Sequence, residues 1–178
     1  MKKLCIILLT LFTFVSCNQK PSSLLGENIT DLKNRGICER VIGGHPSVWS
    51  LLDKSFKNVS FDKAQIAFNK DGIVDGIRYE KNKISWPSVV SKSDKENFQR
   101  EFNYLDRYFS NLYNEEGEYK TLNIDTGSRV YISWNRDDYI VELCTDIPKE
   151  NSYSISLKLE IKASSFSNPF IWFLGSVK

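Results

Sequence analysis

The sequence predicts an α+β fold, an antiparallel sheet with one long helix packed across it, and three observations carry that expectation. From Tyr153 to Ala163, the residues Tyr153, Ile155, Leu157, Leu159, Ile161 and Ala163 alternate with Ser154, Ser156, Lys158, Glu160 and Lys162. That is the period-two pattern of a strand with one face on a core and one in water. Over residues 94–114, Phe98, Phe102, Leu105, Phe109 and Leu112 recur at steps of four and three, which places them on one apolar seam of a helix. The links between periodic segments are short, which favours hairpins over crossover units.

Taken in order, the elements read as α-α-β-β-α-β-β-β-β. Thr30 can cap a short helix that runs to Arg35 and ends at Gly36. After the turn Gly43-Gly44-His45-Pro46, the positions Val48, Leu51, Leu52 and Phe56 are spaced for a second short helix over Ser47–Lys57. A hairpin follows, with Ile66 and Phe68 before Lys70-Asp71-Gly72, and Ile73, Ile77 and Tyr79 after it. Ser93 and Glu96 form a capping box for the long helix. Tyr104, Tyr108 and Tyr113 flank its seam, and Glu115-Glu116-Gly117 closes it. Strands are expected over Tyr119–Asp125, around Val130, Ile132 and Trp134, around Tyr139, Val141 and Leu143, and over Tyr153–Ala163. In outline this is similar to small periplasmic α+β modules of the β-lactamase-inhibitor type, a likeness that rests on no shared motif and implies no function.

The N-terminus is an address. Lys2 and Lys3 precede an uncharged run from Leu4 to Ser16, which suits a secretory signal and is too short to span a bilayer. It ends in Phe14-Val15-Ser16-Cys17, followed by polar Asn18-Gln19-Lys20. These residues resemble the lipobox of bacterial lipoproteins, with Phe14 standing where an aliphatic residue is usual. The resemblance implies that residues 1–16 are removed and that Cys17 is lipidated and becomes the first residue of the mature chain. It places the protein in the cell envelope, at the outer membrane facing the periplasm or at the cell surface. Residues 17–28, with Pro21, Ser22, Ser23 and Gly26, read as a tether, and residues 29–178 as a single domain.

Loss of the signal changes the charge. Removing Lys2 and Lys3 lowers the 24 basic groups to 22, equal to the 22 acidic ones. A neutral chain without a basic cluster excludes the electrostatic footprint of a nucleic-acid binder. Of four cysteines, Cys5 leaves with the signal and Cys17 carries lipid, so Cys38 and Cys144 remain. In an oxidising compartment these two most simply form a disulfide; two unpaired buried thiols are the other reading.

Chemistry is sparse. The single histidine, His45, lies in a turn without a nucleophile motif, and zinc needs three or four His and Cys ligands. Asp71 and Asp75 lack the spacing of a calcium loop and read as hairpin residues. No catalytic residue, metal or other cofactor is therefore expected. Aromatics make up 13% of the chain, and Trp86, Phe170, Trp172 and Phe173 are the candidates for binding a protein partner, since aromatic residues dominate interface hot spots. The expected function is a non-catalytic, membrane-tethered lipoprotein that presents a binding domain. An immunity or inhibitor protein for an exported toxin or hydrolase, and a carrier of an apolar ligand between helix and sheet, are the alternatives.

Overall fold

A computed structural model describes residues 20–85, 87–125 and 127–166. Ten strands and two helices follow one another along these residues. Helix α1 spans Ile29–Asn34. Then come β1 (Cys38–Arg40), β2 (Val48–Leu51), β3 (Ser55–Phe56), β4 (Val59–Ser60), β5 (Lys63–Phe68) and β6 (Val74–Ile84). Helix α2 is Lys92–Tyr113, and β7 (Glu118–Ile124), β8 (Gly127–Asn135), β9 (Tyr139–Pro148) and β10 (Ser154–Ala163) complete the order. Eight strands form one sheet in the order β1-β2-β5-β6-β10-β9-β8-β7, all antiparallel, while β3 and β4 make a separate small hairpin.

This corrects the expected fold class. The molecule is predominantly antiparallel sheet with one long and one short helix, and the order α-α-β-β-α-β-β-β-β does not hold. The second N-terminal helix is absent: Val48–Leu51 is a strand between β1 and β5, and Ser55–Phe56 is half of the β3–β4 hairpin. The physical reason lies in burial on both faces. Leu51 joins the main core and Val48 packs with Ala67 and Phe166 on the other side of the sheet. A short strand covered on both faces shows no alternation, so apolar residues three apart mimic a helical turn.

Capping also shifts. Asn28, not Thr30, caps α1, its side chain accepting the Thr30 N–H. Helix α2 begins two residues earlier than Ser93 and Glu96 imply, because the Ser91 hydroxyl accepts the Asp94 N–H at 3.1 Å and donates to the Asp94 carboxylate at 2.8 Å. Replacing an N-cap hydroxyl by a methyl typically costs about 1 kcal/mol. Ser91→Ala is expected to lower denaturant stability by about that amount, and Ser93→Ala by less, as measured in urea titrations.

Helix α2 lies across one face of the sheet, over β9 and β10. Its buried residues Phe98, Phe102, Leu105 and Phe109 meet Trp134, Leu143, Leu157 and Leu159 from the sheet. Phe56, Phe61 and Tyr79 fill the space toward β3–β6, with Phe56 stacked on Phe109 at 5.7 Å between ring centres. The helix-to-strand link at Gly117 runs so close to the core that a Cβ there would sit 2.3 Å from the Ile132 side chain.

The expected tether is mostly folded onto the domain. Pro21, Leu25 and Ile29 are buried. The Gly26 N–H donates to the Val74 carbonyl at 2.8 Å, Val74 N–H to Glu27 at 2.9 Å, and Ile29 N–H to Gly72 at 2.8 Å. Residues 24–29 thus run along the start of β6 as an added edge.

Candidate functional site

The strand registers define two ends of the sheet. At one, here called the near end, lie the start of β6, the β8–β9 turn at Arg136–Asp138, the end of β10 and the docked segment from Lys20 to Asn28. At the far end, β6 stops at Ile84 opposite Ser154, β9 stops at Pro148, and α2 begins. Strand β6, with eleven residues, separates the ends by roughly 35 Å.

Among the described residues, the far end carries four of the eight exposed large apolar side chains. Ile84 is 72% exposed, with Val89, Ile147 and Tyr153 close to half exposed. The loops that present them are fixed by backbone hydrogen bonds: Ser85 N–H donates to Tyr153, Val90 N–H to Ser152, and Ser152 N–H to Lys149. Lys95 from the first turns of α2 donates to the carbonyls of Lys149 and Glu150, tying the helix to this rim. Beside it a cavity of about 250 Å³ is lined by Lys95, Glu96, Gln99, Thr145, Ile147 and Ile155, among others. Trp86 lies outside the described residues, as do Cys17, Phe170, Trp172 and Phe173. Sequence reading missed Ile84 and Val89, because a single apolar residue carries no sign of its neighbours, and it placed Tyr153 on the core face of its strand, where the structure leaves it 41% exposed.

Apart from the small apolar group of Val48, Ala67 and Phe166, the face of the sheet away from α2 is polar. Arg78, 3% exposed, pairs with Glu160 at 3.1 Å, and Glu160 also lies 3.7 Å from Lys158. Arg129 and Asp146 form a two-point ion pair, and the Ser156 hydroxyl donates to the same carboxylate at 2.5 Å. The hydrogen bond that Arg129 donates to Asp146 raises the guanidinium pKa further still. A cavity of about 410 Å³ runs over this face, lined by Glu80, Asn82, Arg129, Tyr131, Cys144 and Lys158 among others. Its charges are matched in pairs, so it presents a neutral mosaic, not a pole for one sign of ligand.

Cys38 and Cys144 are both free and buried, so the expected disulfide is not made in this structure. They stand on β1 and β9, with four strands between them. At about 4.8 Å per strand their backbones are roughly 24 Å apart, far beyond the 4.4–6.8 Å a disulfide spans. Cys38 also points into the main core, while Cys144 lines the polar-face cavity. Burial pushes the Cys144 thiol from its ordinary 9.0 up to about 11. The unfolded thiol therefore ionises before the native one, and Cys144 weakens folding progressively between pH 9 and 11, by about 2–3 kcal/mol in all. Cys144→Ala is expected to lose that slope, read as the pH dependence of urea stability relative to wild type. Reductant should leave the native protein's melting unchanged.

Of the remaining chemical candidates, His45 and Asp71 belong to locally bonded turns, while the buried Oδ1 of Asp75 has no hydrogen-bond partner. His45 Nδ1 accepts the Ser47 N–H at 3.3 Å within its own turn. Asn69 Oδ1 accepts the N–H groups of Asp71 and Ile73, and Gly72 takes the left-handed conformation at φ +75°, so Asp71-Gly72 is an Asx-organised hairpin turn. Asp75 and Asp138 line a near-end cavity of about 300 Å³ with Lys20 and Asn69. Burial raises the Asp75 carboxyl. Among the described residues no group of three His, Cys, Asp or Glu is placed to hold a metal ion, and no helix is long and apolar enough to cross a membrane. No family model matches this chain, and neither a curated protein nor a solved structure is significantly similar to it.

Proposed function

We propose that this chain is a lipid-anchored, non-catalytic protein of the bacterial envelope that presents a protein-docking surface at the far end of its sheet. The anchor reading rests on the lipobox-like residues Phe14-Val15-Ser16-Cys17. The observation that carries the docking reading is the grouping of Ile84, Val89 and Tyr153 at the end opposite the docked segment 20–28. The same end carries the exposed charged residues Lys83, Lys149 and Glu150, and such a mixture of apolar and charged side chains is the composition of an interface with a polar border. The carrier reading finds less support, since the space between α2 and the sheet is filled by Phe56, Phe98, Phe102, Phe109 and Trp134.

Site-specific photo-crosslinking in intact cells tests the docking surface. A crosslinker at Ile84 is expected to capture one protein in stoichiometric yield, and Tyr153→Ser should reduce that capture severalfold. A crosslinker at Glu116, near the other end, should not capture it. Equal capture from both positions would contradict the assignment.

A further inference from the structure

Opposite the docking surface, the near-end cavity measures about 300 Å³, at the lower end of the range for small-ligand pockets. Leu25 from the docked segment, with Ile73 and Val74 at the start of β6, gives it apolar walls. Two carboxylates share that space, Asp138 from the β8–β9 turn and Asp75 from β6. A β-bulge places Asp75 there. Ala67 pairs Gly76 and the next residue, Phe68, pairs Val74, so residue 75 is the extra one on its strand. Its Oδ1 is buried without a hydrogen-bond partner. Burial raises the carboxyl pKa, against a smaller lowering by the residue's own backbone N–H.

Against these two carboxylates stands one lysine. Lys20 lines the cavity too, beside Gly26, but among the described residues no ion pair joins it to Asp75 or Asp138. The arginines of this end are taken elsewhere, Arg35 by Glu27 and Arg136 by Glu115. With both carboxylates ionised, the cavity therefore holds an excess of negative charge beside apolar walls. A divalent metal suits it poorly, because among the described residues no third His, Cys, Asp or Glu joins the pair, and calcium surrounds itself with many oxygen ligands. We propose that the near-end cavity binds a small organic ammonium ion, its charged nitrogen facing Asp75 and Asp138 and its apolar body against Leu25, Ile73 and Val74. A carboxylate held partly out of water gains more from such a partner than one in bulk solvent. The docked segment forms one wall, so a bound ligand also holds that segment on the sheet. None of this depends on lipid at Cys17.

The test titrates the isotopically labelled mature chain, in detergent micelles, with n-butylammonium and separately with 1-butanol. The ammonium is expected to shift the amide signals of Gly26, Val74, Asp75 and Ser165 saturably, and butanol to shift them far less. Asp75→Asn should weaken ammonium binding about tenfold or more, as loss of a charge-assisted contact does. Asp138→Asn should weaken it severalfold, and Glu150→Gln at the far end should leave it unchanged. The ligand should also slow hydrogen exchange at the Gly26 amide, which donates to the Val74 carbonyl. Should Asp75→Asn fail to fold, Asp138→Asn, on an exposed turn, decides alone. No saturable shift at these amides, equal binding of butanol, or binding unaltered by the aspartate substitutions would overturn the proposal. Calcium that displaces the ammonium would also overturn it, in favour of a metal.

Discussion

Phe109→Ala is expected to cost about 3–5 kcal/mol, a large part of the 5–15 kcal/mol that holds an ordinary domain folded. Phe109 is fully buried at the point where the long helix, the small hairpin and the main sheet meet. Its ring stacks on Phe56 at 5.7 Å and on Tyr113 at 6.1 Å, and tilts against Trp134 at 5.3 Å. Truncation removes the transfer energy of the ring and leaves a cavity that three other rings border, none of which is free to collapse into it. Leu112→Ala, on the same seam but only partly buried, should cost well under half as much. Chemical denaturation of both variants reads the difference, and equal losses would mean that the helix does not hold its place through Phe109.

Arg78→Met is expected to destabilise by about 3 kcal/mol, while Arg78→Met/Glu160→Met should return to within about 1 kcal/mol of wild type or exceed it. The asymmetry follows from burial. Glu160 keeps only 7% of its side chain in water, and its Oε1 has no hydrogen-bond partner. Removing the guanidinium at 3.1 Å leaves this carboxylate with Lys158 at 3.7 Å as its remaining ion-pair partner. Removing both charges leaves an apolar pair of similar volume in the middle of the sheet. A double-mutant cycle measures the coupling, and additive losses would show that the two residues act independently.

The strongly periodic elements were legible in the sequence. Strand β10 begins within one residue of the alternation that predicts it, and the seam Phe98-Phe102-Leu105-Phe109 is the buried face of α2. What escaped was short, or buried on both faces. Strand β1 has three residues and β2 four, too few for any period to declare itself. The docked segment was hidden by its composition: Pro21, Ser22, Ser23 and Gly26 look like a linker, yet Leu25 and the backbone of Gly26 and Glu27 complete the edge beside Val74. The cysteines misled for a different reason. Compartment and number favour pairing, but only the strand order reveals that β1 and β9 lie at separate places on the sheet. The candidate surface depends on the same three-dimensional knowledge: Ile84 is an unremarked single residue until the registers assign it to an end.

The proposed attachment to the envelope hangs from Cys17. The most direct measurement is fractionation of cells expressing the full chain, wild type beside Cys17→Ser, with membranes washed in high salt. The wild type is expected to stay in the membrane pellet and to be extracted only by detergent, while Cys17→Ser is expected in the soluble envelope fraction. A Cys17→Ser chain that remains in the washed pellet, or a wild-type chain released with the soluble proteins, would contradict it.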